Sequence, residues 1–200
     1  MSTIRHLVFD LGKVLVHFSY SQLFPLLRRR GALFSDIDEF AERVGLIEYE
    51  HGRMTTPEFL DRLNGLLSAP LSLEELEQAW CGIFTPQPQM LALARRLRPQ
   101  VKVHIISNTG EIHWQYLRER FALDDLCEGS FASCEVGHMK PTAEIYRIAE
   151  ERFGFAPPQA VFIDDRAENV DGAKACGWHG IHHRSYGQTL EALAELGLTP

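Results

Sequence analysis

Four separated stretches of the chain carry side chains whose types could act together on an anion. Asp10 follows the apolar run Leu7-Val8-Phe9 and precedes Leu11-Gly12, and Ser107 and Asn108 follow Val103-His104-Ile105-Ile106. Lys140 stands immediately before Pro141, and the pair Asp164-Asp165 follows Ala160-Val161-Phe162-Ile163. A carboxylate at such a place is a nucleophile or a ligand for a hard cation in one reading, and a turn former or helix cap in the other. A hydroxyl and backbone N–H groups suit phosphate oxygens, while a lysine ahead of a helix supplies a compensating positive charge. The set thus offers two or three carboxylates, a hydroxyl and one ammonium, which is the equipment for handling a dianion beside a divalent cation.

The elements needed to bring these groups together are legible in the hydrophobic pattern. Three of the four stretches begin as apolar runs of strand length, and in an open sheet of parallel strands ligands collect where strands end. From residue 89 onward helices and strands alternate. Helices are expected over 90–97, 111–120, 141–153, 167–176 and 188–196, and strands over 101–106, 129–133, 160–163 and 178–183. Such alternation implies βαβ units and a mainly parallel sheet covered on both faces. Between the first strand and residue 85 the pattern is different, with amphipathic segments over 21–30, 35–46, 57–67 and 72–81 and no strong strand. Thr56 with Pro57 in the first helical position marks one helix start, and Ser72 with Glu75 marks another. The expected architecture is therefore α/β, a Rossmann-like core of residues 1–16 and 86–200 carrying a small helical cap of residues 17–85.

Composition narrows the function classes. The 200 residues are 45% hydrophobic and 24% charged, ample for one core with an insertion. A formal charge of −7 argues against general affinity for nucleic acid or an anionic membrane. Arg28, Arg29 and Arg30 read as a solvated helix face. No apolar run approaches the roughly 20 residues needed to span a bilayer, and no signal-peptide pattern opens the chain, so a cytoplasmic location is the expectation. Cys81, Cys127, Cys134 and Cys176 lack the close spacing of a zinc site, and reduced thiols are expected.

The ordered motifs Val8-Phe9-Asp10-Leu11-Gly12-Lys13-Val14-Leu15, Ile105-Ile106-Ser107-Asn108, Lys140-Pro141 and Phe162-Ile163-Asp164-Asp165 resemble those of haloacid dehalogenase-like hydrolases, over essentially the full length. The resemblance implies a phosphatase in which Asp10 is the catalytic nucleophile, forming an aspartyl-phosphate, with Lys140 as the second catalytic group. It implies a Mg²⁺ cofactor held by Asp10, the backbone of Gly12, Asp164 and Asp165, with Asn169 in support. Leu11, Gly12, Ser107, Asn108 and Lys140 are the implied phosphate-binding positions, and the implied partner is a small phosphorylated metabolite such as a sugar phosphate. A 2-haloacid dehalogenase and a phosphate-binding protein without turnover are the competing readings.

One position departs from the common phosphatase pattern. Many relatives place a second aspartate two residues after the nucleophile, where it protonates the leaving oxygen, and here that residue is Gly12. General acid catalysis contributes roughly 10²- to 10⁴-fold. The departure implies either a substrate with a good leaving group, such as a sugar 1-phosphate or an acyl phosphate, or a replacement acid from the cap or from the substrate itself. His51 and Arg53 in the polar segment 48–55, together with His17 and Glu135, are the expected pocket candidates, whereas Trp80, Trp114 and Phe84 are expected to pack cores.

Overall fold

The computed structural model describes residues 4–199, so residues 1–3 and 200 of the expected core lie outside the described residues. The chain opens with β1 (His6–Phe9), turns tightly into β2 (Val16–Phe18), and enters five helices, α1 (Leu23–Arg29), α2 (Ile37–Val44), α3 (Leu46–Glu50), α4 (Thr56–Asn64) and α5 (Leu73–Cys81). β3 (Phe84–Pro86) brings it back, antiparallel to β2 with Phe18 opposite Phe84. Then come α6 (Pro88–Leu97), β4 (Lys102–Ser107), α7 (Glu111–Arg120), α8 (Leu123–Leu126), β5 (Gly129–Ala132) and the single turn α9 (Ser133–Val136). The chain ends with α10 (Ala143–Phe153), β6 (Ala160–Asp164), α11 (Ala167–Ala175), β7 (His179–His182) and α12 (Tyr186–Glu195).

Five strands form one parallel sheet in the order β5-β4-β1-β6-β7. The fold is α/β and Rossmann-like. β1 sits at the centre, and the chain builds outward first on one side and then on the other, so the strand order reverses beside it. Leu7, Val8 and Phe9 are apolar on both faces because both are covered. Leu7 and Phe9 join a core with Leu93 and Leu97 of α6 and Leu193 of α12. Val8 faces the opposite way, into a core with Ile145, Tyr146 and Ala149 of α10. In register, Phe9 lies beside Ile105 of β4 and Ile163 of β6. Asp10 therefore emerges between the ends of its two neighbours.

The five helices between β2 and β3 have a third core of their own, built from Leu27, Phe40, Tyr49, Phe59, Leu63, Leu76 and Trp80, which reaches Ile112 of α7. Several boundaries differ from the sequence pattern. The start of α4 is capped by Thr55, whose Oγ1 accepts from the Glu58 N–H, and Pro57 takes the second helical position. The Ser72–Glu75 capping box forms as expected. The helix expected over 35–46 starts later, at the Asp36 cap, and stops at Gly45, whose φ of +71° is the left-handed region that favours glycine. α3 then begins as a separate helix at Leu46 and runs into the polar segment 48–55. The strand expected over 129–133 gives way at Ser133 to α9, and the helix after Pro141 begins at Ala143.

Candidate active site

Local chain geometry concentrates charge at the carboxyl edge of the sheet. The Asp10 backbone N–H donates to Ile163 O at 2.8 Å, extending the β1–β6 ladder by one residue and aiming the next turn over the edge. Residues 11–16 close that turn: Leu15 N–H and Val16 N–H both donate to Leu11 O at 2.9 Å, and Lys13 takes φ +58°. Lys140 arrives from the segment between α9 and α10. Its backbone is gripped at two points by the Asn108 side chain, which accepts from Lys140 N–H and donates to Lys140 O, both at 2.9 Å.

The Lys140 ammonium uses all three donors on the protein. It binds Asp10 Oδ1 at 2.6 Å, Asp164 Oδ2 at 2.8 Å and Ile106 O at 3.2 Å. Asp164 is fully buried, and its oxygens also take bonds from Asn169 Nδ2, at 3.0 Å to each, and from Arg166 N–H at 2.8 Å. Burial works against the Lys140 charge, but the two carboxylates outweigh it and hold the ammonium above its ordinary value. Burial pushes the Asp10 carboxyl upward, Lys140 pulls it back, and Asp164 adds to the rise. Asp165 is raised by partial burial and by Asp164, and pairs loosely with Lys13 at 3.7 Å.

Three carboxylates thus converge where one buried ammonium compensates them. One oxygen from each of Asp10, Asp164 and Asp165 falls within a 4.8 Å cluster. An oxygen donor set carrying this excess of negative charge fits a hard divalent cation. The two acids of the pair are not equivalent: Asp165 lines the adjoining cavity of about 250 Å³ together with Asp10, Gly12 and Lys140, whereas Asp164 stands behind it with its oxygens engaged.

Ser107 and Asn108 line the same cavity, and the Asn108 side chain is committed to the Lys140 backbone. The Leu11 side chain is buried in the core, and it is the Leu11 backbone that bears on the Asp10 carboxylate. The upper wall comes from outside the sheet edge: Phe18, Tyr20, Ile47, Glu50 and Phe84, with His113 from α7. His51 and Arg53 do not line the cavity, and His17 is exposed. Glu135 accepts from Ala132 N–H at 2.9 Å. Trp80 and Trp114 are core residues as expected, and Phe84 both packs against His113 and lines the cavity. The polar segment 48–55 does supply a pocket residue, but it is Glu50 and not the expected His51 or Arg53; Tyr20 and His113, which sequence reasoning also missed, lie in segments without a motif.

Residues 4–177 match the family model of haloacid dehalogenase-like hydrolases. A D-ribitol-5-phosphate phosphatase from Bacteroides thetaiotaomicron is 28% identical over 88% of this chain and 89% of its own. A sesquiterpene phosphatase from Aspergillus oryzae is 27% identical over 90% of each chain. A crystal structure of a wild-type enzyme of the same family from Bacteroides thetaiotaomicron, in complex with magnesium and inorganic phosphate, superposes with a TM-score of 0.81 at 27% identity, covering 90% of this chain and 94% of that one.

Proposed function

The chain belongs to the haloacid dehalogenase-like hydrolases, and on that premise we propose that it is a Mg²⁺-dependent phosphomonoester hydrolase working through an aspartyl-phosphate on Asp10. Its substrate in this reading is a small phosphorylated metabolite of the sugar or polyol phosphate kind. Support comes from the phosphatase names of the relatives and the magnesium and phosphate bound by the structural neighbour. The observation that carries the reading is Lys140, buried at hydrogen-bond distance from both Asp10 and Asp164, with Asp165 open to the cavity beside them. A carboxylate that approaches a phosphate dianion is repelled unless positive charge is already in place.

In this reading Asp10, Asp164, Asp165 and the Gly12 backbone would hold the cation, and Asp164 also keeps Lys140 and the metal-facing loop in position. Bound Mg²⁺ supplies the charge that offsets the phosphoryl oxygens. Lys140 releases part of its grip on Asp10 to meet a phosphoryl oxygen, which frees an Asp10 oxygen for attack on phosphorus. Ser107 Oγ and the backbone N–H groups of Leu11 and Asn108 hold the remaining oxygens. Residues 17–85 form the cap that closes over them, and residues 1–16 and 86–200 form the catalytic core.

Phosphate release is measured over sugar 1-phosphates, sugar and polyol terminal phosphates, nucleotides and acyl phosphates, with and without Mg²⁺. Turnover that requires Mg²⁺ and vanishes in Asp10→Asn supports the proposal. Metal-independent halide release from 2-haloacids, or phosphate binding without turnover, overturns it.

A further inference from the structure

A side chain at the position of the missing general acid would have to share its space with an aromatic ring. A Cβ on Gly12 would sit 3.1 Å from Cε1 of Phe18, and that ring packs edge-on against Tyr20 and Phe84. An aromatic edge therefore stands where relatives offer a carboxyl. Expelling an alcohol from phosphorus still calls for a proton at the leaving oxygen.

The groups lining the cavity leave few donors. Lys140 is bonded to Asp10, Asp164 and Ile106 O, and the bond it releases in the reading above goes to a phosphoryl oxygen, while Arg166 donates to Glu168. His113 Nε2 is bonded to Trp80 O at 3.0 Å, with its ring stacked on Trp80. Apart from Asp10 and Asp165, Glu50 is the one carboxyl in the wall among the described residues, and its carboxyl group receives no hydrogen bond or ion pair from them.

Glu50 is also anchored. Its carbonyl accepts from Ser133 Oγ at 2.6 Å, and Ser133 Oγ in turn accepts from the Thr109 N–H at 3.0 Å, one residue beyond the Ser107-Asn108 pair. Next to it, Tyr49 Oη accepts from Ile112 N–H at 3.0 Å. The end of α3 is thereby fastened to the loop that carries the phosphate-binding groups, which holds an otherwise unbound carboxyl over them.

We propose that Glu50 is the general acid of the first step and the general base of the second, taking the role that Gly12 cannot fill. This rests on the phosphohydrolase reading above. In the first step an Asp10 oxygen bonds to phosphorus, the bond from phosphorus to the leaving oxygen breaks, and the Glu50 proton passes to that oxygen, giving a neutral alcohol and an aspartyl-phosphate. In the second, water attacks phosphorus, its proton goes to the Glu50 carboxylate, and Asp10 leaves with inorganic phosphate as the other product. The groups facing Glu50 are Arg166 from the turn after β6, Tyr20 after β2 and Cys134 of α9, with Lys13 and His113 on the same wall. Burial pushes the Glu50 carboxyl up to about 7 against the pull of Arg166, so near neutral pH it can both give and take a proton.

The test compares Glu50→Gln with wild type, both with Mg²⁺, on an alkyl phosphate such as a polyol phosphate and on acetyl phosphate, whose leaving group needs no proton. kcat/KM reads only the steps through departure of the leaving group. The variant is expected to lose roughly 10²- to 10⁴-fold on the alkyl phosphate and less than about tenfold on acetyl phosphate, with Tm unchanged. Glu50→Asp is expected to retain part of the alkyl activity. Equal losses on the two substrates, or no loss on either, overturn the proposal. A wild-type protein inactive on every phosphate overturns the underlying hydrolase reading instead.

Discussion

Two buried polar clusters lie on the central strands of the same sheet, and they are built on opposite principles. At the carboxyl edge, Asp10, Asp164 and Lys140 form a charged knot centred on two buried ion pairs. Deeper along the same strands, His6 on β1 and His104 on β4 share a single hydrogen bond of 3.0 Å and stack among Phe153 and Phe155. Burial pushes both imidazoles below their ordinary value, His104 to about 4, so they are held neutral. The first cluster keeps charge in a place that disfavours it, which is a functional demand; the second removes charge, which is what a core ordinarily requires. Substitutions ought therefore to separate activity from stability at one edge and to affect stability alone in the interior.

The sharpest contrast is Asp10→Asn. Activity is expected to fall by at least ~10³-fold, because the amide is not a nucleophile. Tm, measured without metal, is expected to hold or rise, since one of the crowded carboxylates is gone while Asp164 still pairs with Lys140. A large fall in Tm would mean that the knot is structural after all. Lys140→Met works in the reverse sense: it strands two buried carboxylates and is expected to cost about 3–5 kcal/mol in denaturant titration at neutral pH, along with activity.

The histidine pair is tested by pH. An unfolded histidine titrates near 6.5, whereas folded His104 does so at about 4, so between those values the unfolded chain binds more protons. This contribution to stability is fully present above pH 6.5 and is lost as pH falls toward 4, amounting to roughly 3 kcal/mol at most for His104 by the 1.36 kcal/mol per unit relation. His113, pushed by burial to about 3, acts in the same direction. His104→Phe is expected to flatten the slope of stability against pH in that window while leaving kcat/KM at pH 7.5 within about twofold. An unchanged slope would show that the pair contributes nothing.

The two clusters also differ in how far the sequence reveals them. Asp10, Ser107, Lys140 and Asp164 were legible because each ends an apolar run or opens a helix, and sheet topology then brings such ends to one edge. The sheet was legible for the same reason, since β1, β4 and β6 are largely buried on both faces and read as mainly apolar runs, interrupted in β1 and β4 by His6 and His104. Division of labour within the Asp164-Asp165 pair was not, because it depends on which carboxyl Asn169 and Arg166 engage. Nor was Glu50, which owes its place to Gly45 ending α2 and to Ser133 catching α3, contacts up to 83 positions apart that leave no local periodicity. His6 and His104 sat in strand patterns without any hint that they touch.

The smallest expected effect is at Gly12, where the knot meets the aromatic wall. Its φ is not in the left-handed region, so alanine meets no backbone strain, and loss of glycine's freedom in the unfolded chain favours the variant by about 0.4–1 kcal/mol. Against this stands the 3.1 Å approach of the new Cβ to Phe18. The obstacle is the edge of a half-buried ring rather than backbone, so a few tenths of an ångström of movement relieves it, at a cost toward the low end of the 1–3 kcal/mol typical of overpacking. The two terms nearly cancel, and Gly12→Ala is expected to change stability by less than about 1 kcal/mol. Phe18→Leu, which withdraws the ring, should tip the balance so that Gly12→Ala becomes stabilising in that background. If the alanine remains equally costly in both backgrounds, the constraint at Gly12 comes from the turn and its backbone contacts, and the ring is not what keeps position 12 free of a side chain.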